Sequence, residues 1–238
     1  MTYRTLDADA ILTTCERLSA RIGERFPGSG LSKVARELLE LSRESRQRVE
    51  DIRRPVWPVR VGAAAVLALM VAIAIGVGAS AQMPSTRIEL FSLLQFVETA
   101  INDVVFLGLA AFFLLTVEAR LKRRKALRAL HQLRSIAHVI DMHQLTKDPE
   151  QLLSTGMTTS SSPERGLSRF ELARYLDYCS EMLSIVSKIA ALYLQYLDDA
   201  LVLGAANDIQ NLTSGLSSKI WQKIMIVDGV IASEREPR

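Results

Sequence analysis

Ile11, Cys15, Leu18, Ile22 and Phe26 recur at steps of three and four, and after Pro27-Gly28-Ser29-Gly30 the pattern resumes at Val34, Leu38, Leu41, Ser45, Val49 and Ile52. That spacing lines one side of an α-helix, and a Pro/Gly/Ser cluster interrupts it, so the first segment reads as a helical hairpin. Pro55 and Pro58 close its second helix, because proline lacks a backbone donor and clashes with the preceding turn. The pattern then changes kind. Residues 61–81 hold no charged side chain across 21 positions. At 1.5 Å per residue this covers about 30 Å, the thickness of bilayer hydrocarbon.

A second apolar block, residues 104–117, is 14 residues long, or about 21 Å of helix, too short to cross a bilayer alone. Extending it upstream brings in Glu98, Thr99, Asn102 and Asp103. An acidic side chain at the bilayer centre costs about 2.5–3.5 kcal/mol, against roughly 0.3–0.6 kcal/mol gained per large apolar residue. Asp103 is therefore expected at the membrane surface or against protein or water. The predicted spans are about residues 60–82 and 97–117, joined by a short extracytoplasmic connection over 83–96. Gln95, Thr99, Asn102 and Asp103 form a polar stripe entering the second span, suited to a contact between helices or to lining water. In the first span Ala64, Ala68, Ala72, Gly76 and Ser80 recur every four residues as a ridge without bulk, suited to close helix packing.

Beyond the second span no Gly or Pro interrupts residues 118–145, and Ala126, Leu130, Leu133, Ala137 and Ile140 keep one apolar seam. Asp148-Pro149-Glu150-Gln151 suggests a short capped helix, and the Ser/Thr-rich stretch at about 156–167 reads as a mobile loop. Ser168 and Glu171 form a capping box. It opens a helix carrying two seams: Leu172, Leu176, Cys179, Leu183, Val186, Ala190, Tyr193, Leu197 and Ala200, and beside them Tyr175, Tyr178, Met182, Ile185, Ile189, Leu192 and Tyr196. So wide an apolar circumference needs two neighbours. Gly204 is expected to end this helix, with Asn207 and Gln210 capping a last one through Ile209, Leu212, Leu216, Ile220, Ile224 and Val227. The fold class expected is all-α: an N-terminal cytosolic helical hairpin (1–57), a two-span membrane hairpin (58–117) and a C-terminal cytosolic helical bundle with coiled-coil-like seams (118–238).

Charge sets the orientation. The connection carries one cation, Arg87, whereas Arg53, Arg54 and Arg60 flank the first span and Arg120, Lys122, Arg123, Arg124, Lys125 and Arg128 follow the second. By the positive-inside rule both termini are expected in the cytosol of a cell with this chain in its inner membrane. Nearly sixty residues rich in both charge signs precede the first span, unlike a cleaved signal peptide. Cys15 and Cys179 fall at apolar helix positions on the reducing side, implying neither a disulfide nor a metal framework. Arg120, Lys122, Arg123, Arg124 and Lys125 are placed to gather anionic lipid headgroups. The net charge of +3 arises in that cluster. With no aromatic platform among these cations, nucleic acid is not the expected partner.

All three histidines fall in one stretch, HQLRSIAHVIDMH (131–143), with Arg134 and Asp141. His131 and His138 project about 20° apart on the helix face opposite Leu133, and Asp141 follows His138 at i+3. Three chemistries compete with a plain solvated face. His138 and Asp141 are candidate metal ligands, though no HExxH or Cys/His pattern accompanies them. His131, Arg134, His138 and Asp141 are candidate catalytic groups, with His as acid or base and Arg stabilising phosphate charge. The Arg134–His138 pair resembles that of HEPN-type RNA-cleaving domains but is one residue short of their usual interval, while Arg124 and His131 keep it within a stretch crowded with Arg. The third reading is a sensing or acid-binding surface. No phosphate loop or nucleophile elbow is present, and no cofactor is implied. The leading expectation is a non-enzymatic membrane protein whose cytosolic module forms homo-oligomers or docks a cytosolic protein. An oligomeric channel and a membrane-tethered hydrolase or nuclease are the alternatives.

Overall fold

A computed structural model describes residues 4–80, 90–147, 149 and 166–235, and every regular element among them is helical. In chain order these are α1 (Ala8–Arg25), α2 (Gly30–Arg53), α3 (Trp57–Ser80), α4 (Leu90–Leu145), α5 (Arg169–Leu194) and α6 (Ala200–Arg235). They divide into two compact units, residues 1–53 with 125–238, and residues 54–124. The short helix expected at Asp148–Gln151 and most of the Ser/Thr-rich stretch fall outside the described residues; Pro149 is a buried turn residue.

The larger unit is a helical bundle. Asp7 caps α1, its Oδ1 accepting from the amides of Asp9 (2.8 Å) and Ala10 (3.3 Å). Gly28, at φ 70°, makes the left-handed turn that a side chain would strain. Ser29 then opens α2, its Oγ accepting from the Ser32 amide at 3.1 Å. Ile11, Cys15, Leu18, Ile22 and Phe26 are all buried. On α2 the buried line runs Leu38, Ser42, Ser45, Val49 and Ile52, with Leu41 only half-buried. The two serines place little bulk where the helices meet.

The capping box forms as the sequence reads. Ser168 Oγ accepts from the Glu171 amide at 3.3 Å while Glu171 Oε2 accepts from the Ser168 amide at 2.8 Å. Thirteen of the 26 residues of α5 are buried, more than one-sided packing can cover. Helices α1, α2 and α6 share the work of covering them.

The expected end of this helix needs correction. α5 stops at Leu194 and α6 already begins at Ala200, so Gly204 lies inside α6. Asp199 is the reason: its Oδ1 accepts from the amides of Leu201 (3.0 Å) and Val202 (3.3 Å), starting a new helix. Apolar spacing continues through the break in sequence, which conceals it. Gln195 at this corner also holds the N-terminal segment, its Oε1 accepting from the Leu6 amide (2.9 Å) and its Nε2 donating to the Leu6 carbonyl (3.2 Å).

The smaller unit comprises α3 and the first part of α4. Two helices of the molecule are long and apolar enough to cross a membrane. Leu69, Ile73 and Ile75 on α3, and Val104, Phe106, Leu109, Phe112 and Phe113 on α4, are exposed. Trp57 at the start of α3 is 66% exposed. α4 supplies the length that the short apolar block lacks, continuing without a break from Leu90.

Candidate functional site

The part of α4 inside the bundle has two contrasting sides. Ala126, Leu130, Leu133, Ala137, Ile140 and Gln144 are buried at steps of four and three. Arg128, His131, Arg134, Ser135 and His138 are exposed on the other side. His131 and His138 thus share a wet face with Arg134. Asp141 is engaged elsewhere: its Oδ1 accepts from Gln144 Nε2 at 2.6 Å. No hydrogen bond or ion pair joins Asp141 to His138 among the described residues.

The third histidine departs from the other two. His143 is half-buried, and its ring lies against Gly30, where an added β-carbon would meet Nδ1 at 3.1 Å and Cε1 closer still. Among the described residues no group of three or more His, Cys, Asp and Glu side chains converges in a way that could hold a metal ion.

Beyond His143, other helices satisfy the carbonyls that end α4. Tyr175 Oη donates to the His143 carbonyl (3.4 Å), and Lys223 Nζ donates to the carbonyls of Gln144 (3.1 Å) and Lys147 (3.5 Å). A cation here also suits the negative end of the helix dipole. Lys147 Nζ lies 5.6 Å over the Tyr175 ring, and Phe26 meets that ring edge-on at 5.5 Å. Gln144 Oε1 is buried with no hydrogen-bond partner among the described residues. Burial raises the Tyr175 phenol and pushes the Cys179 thiol up to about 12. Sequence reasoning placed Tyr175 in an apolar seam but missed its bond to the end of α4, and it missed Lys223 altogether. The only available signal was a lysine, Lys223, on the half-buried side of the last helix.

In the smaller unit Glu118 is the hub. Its carboxylate accepts from Arg60 Nε (2.7 Å), Arg60 Nη2 (3.4 Å) and the Val56 amide (3.2 Å), and pairs with Lys122 Nζ (2.9 Å). The Glu118 side chain is only 15% exposed. Of the cations read as headgroup ligands, Lys122 is thus engaged, Arg120 stacks over the Phe113 ring at 5.1 Å, Arg123 is half-buried, and Arg124 and Lys125 are exposed. Glu118 was legible in principle: Arg60 and Glu118 each stand beside a charge-free apolar run expected to pair with the other, and opposite charges there meet.

Ala64, Ala68, Ala72 and Gly76 are exposed, and a β-carbon at Gly76 would meet nothing within 4 Å. Asn102 is also exposed, whereas the side chains of Gln95, Thr99, Asp103 and Ser80 lie outside the described residues. No family model, curated protein or solved structure matches this chain.

Proposed function

We propose that the chain is a two-span protein of the inner membrane with both termini in the cytosol, whose helical bundle is a non-enzymatic docking scaffold. One contrast carries this reading. The large apolar side chains of α3 and of residues 104–113 are uncovered, while the bundle closes its own core around Leu176, Leu183, Val186 and Tyr193. Uncovered apolar surface of that length is expensive in water and free of cost in hydrocarbon. The distribution of lysine and arginine supports the orientation.

The bundle's closure also limits where a working surface can lie. The paired seams of α5 are consumed within the chain, so a partner must use a face that remains open, and α4 offers one.

Membrane fractionation tests the reading. The chain should stay in the pellet after alkaline carbonate washing, leave it only with detergent, and form tight, non-conducting proteoliposomes. Release by carbonate would remove the membrane assignment. Conductance that changes with Asp103→Asn would favour the channel.

A further inference from the structure

We propose that the outward face of α4 is a docking strip for a partner protein helix that is acidic along one half and apolar along the other. This inference rests on the scaffold reading above and names its partner class.

Residues 119–140 contain no Asp or Glu and seven Lys or Arg. Several arginines elsewhere on the bundle take carboxylates, Arg21 with Glu181 (2.5 Å), Arg43 with Glu40 (2.7 Å), Arg48 with Glu44 (2.6 Å), Arg174 with Asp177 (2.9 Å), and Arg46 with Asp9, while Arg17 and Arg36 are exposed without one among the described residues; α4 differs in having no acidic residue at all within reach along this stretch of its own sequence. On α4, Arg128 and Arg134 are exposed and make no ion pair with any described residue. His131 and His138 share their face. The same face then turns apolar, with Met142 67% and Leu145 60% exposed. From Arg128 to Leu145 the strip is 18 residues, about 27 Å of helix.

Its composition selects the occupant. A phosphate backbone would satisfy the cations but has no use for Met142 and Leu145, and no aromatic ring lies among the cations for bases to stack on. A helix that lies on a bilayer divides apolar from cationic around its circumference. Here the division runs along the axis, cationic first and apolar after, and the opposite side of the helix is buried in the bundle. A second helix with carboxylates opposite Arg128 and Arg134 and apolar residues opposite Met142 and Leu145 meets both halves, using the step of three and four on which helices interlock.

The test is in-cell photocrosslinking of the full chain, with a benzophenone amino acid at Ser135 or Met142 and a control at Asn211 on α6. Both α4 positions should yield one adduct to the same polypeptide. The peptide captured at Ser135 should be rich in Asp and Glu, and that captured at Met142 apolar. Reversing charge with Arg128→Glu and Arg134→Glu should cut the yield about tenfold, the effect of losing about 1.4 kcal/mol. An unchanged circular dichroism spectrum would show that the fold survives. The proposal is overturned by no adduct, an adduct removed by nuclease, a lipid adduct, an adduct to a second copy, or a yield indifferent to charge reversal. Fractionating the same cells separates the two readings. A chain in the supernatant that still captures the acidic peptide sinks the membrane assignment alone, and a membrane-bound chain without adduct sinks this proposal alone.

Discussion

Gly30, the first residue of α2, packs against the imidazole of His143 near the end of α4, so closely that no β-carbon fits between them. The contact ties the start of α2 to the end of α4, two segments more than a hundred residues apart in sequence. A side chain at position 30 would meet that ring unless the imidazole shifts.

Gly30→Ala should therefore destabilise the bundle, with overpacking of roughly 1–3 kcal/mol exceeding the propensity gain. Followed by thermal melting in detergent, the midpoint should fall by a few degrees. His143→Ala in the same chain should return most of that loss, since it removes the obstructing ring. A Gly30→Ala variant that melts at or above the parent would show that the ring moves aside freely.

The capping box makes a pH prediction. Hydrogen bonds from the Ser168 hydroxyl, then from its amide, hold the Glu171 carboxyl below its ordinary value of 4.5. A carboxyl lowered on folding contributes stability that is complete above its unfolded value and fades as pH falls through its folded one. Glu171→Gln should thus be less stable than the parent at pH 7, with the gap closing below about pH 4.5. Melting curves across pH 7 to 3 check this, and a constant gap would speak against the bond.

Burial pushes the thiols of Cys15 and Cys179 each up to about 12, with Glu16 adding to the effect on Cys15. At pH 8 only about one in ten thousand of either is a thiolate, the reactive form. Neither should react with a maleimide in the folded chain, and both should react in guanidinium. Rapid labelling of the native protein would contradict the packing around α1 and α5.

Much of this organisation is legible in the residues, and the limits have physical causes. Local periodicity locates α1, α2 and the buried line of α4, because helical spacing depends only on neighbours three and four apart. The same angular reasoning places His131 and His138 on one wet face. What escapes is choice among competing partners. Asp141 stands at i+3 from His138 and at i−3 from Gln144, and only the packed structure selects Gln144. Gly30 with His143, and Lys223 with the end of α4, are pairings between distant segments that no window along the chain contains. The break at Asp199 escapes for another reason, since apolar spacing runs unbroken through the turn.

Glu118 offers a test inside the smaller unit. Glu118→Ala leaves Arg60 and Lys122 without their shared carboxylate and should lower the melting temperature in detergent. The exchanged pair, Arg60→Glu with Glu118→Arg, should recover part of it. Equal stability of the parent and Glu118→Ala would mean that solvent screening has already removed the contribution of this hub.

The proposed double crossing, with both arms in the cytosol, is measured most directly by thiol topology mapping. Single cysteines would replace Lys33, Ser85 and Lys219, and intact cells would be treated with a membrane-impermeant maleimide. Labelling at position 85 alone, with positions 33 and 219 reached only after permeabilisation, is the expected result. Labelling of position 33 or 219 in intact cells would contradict it.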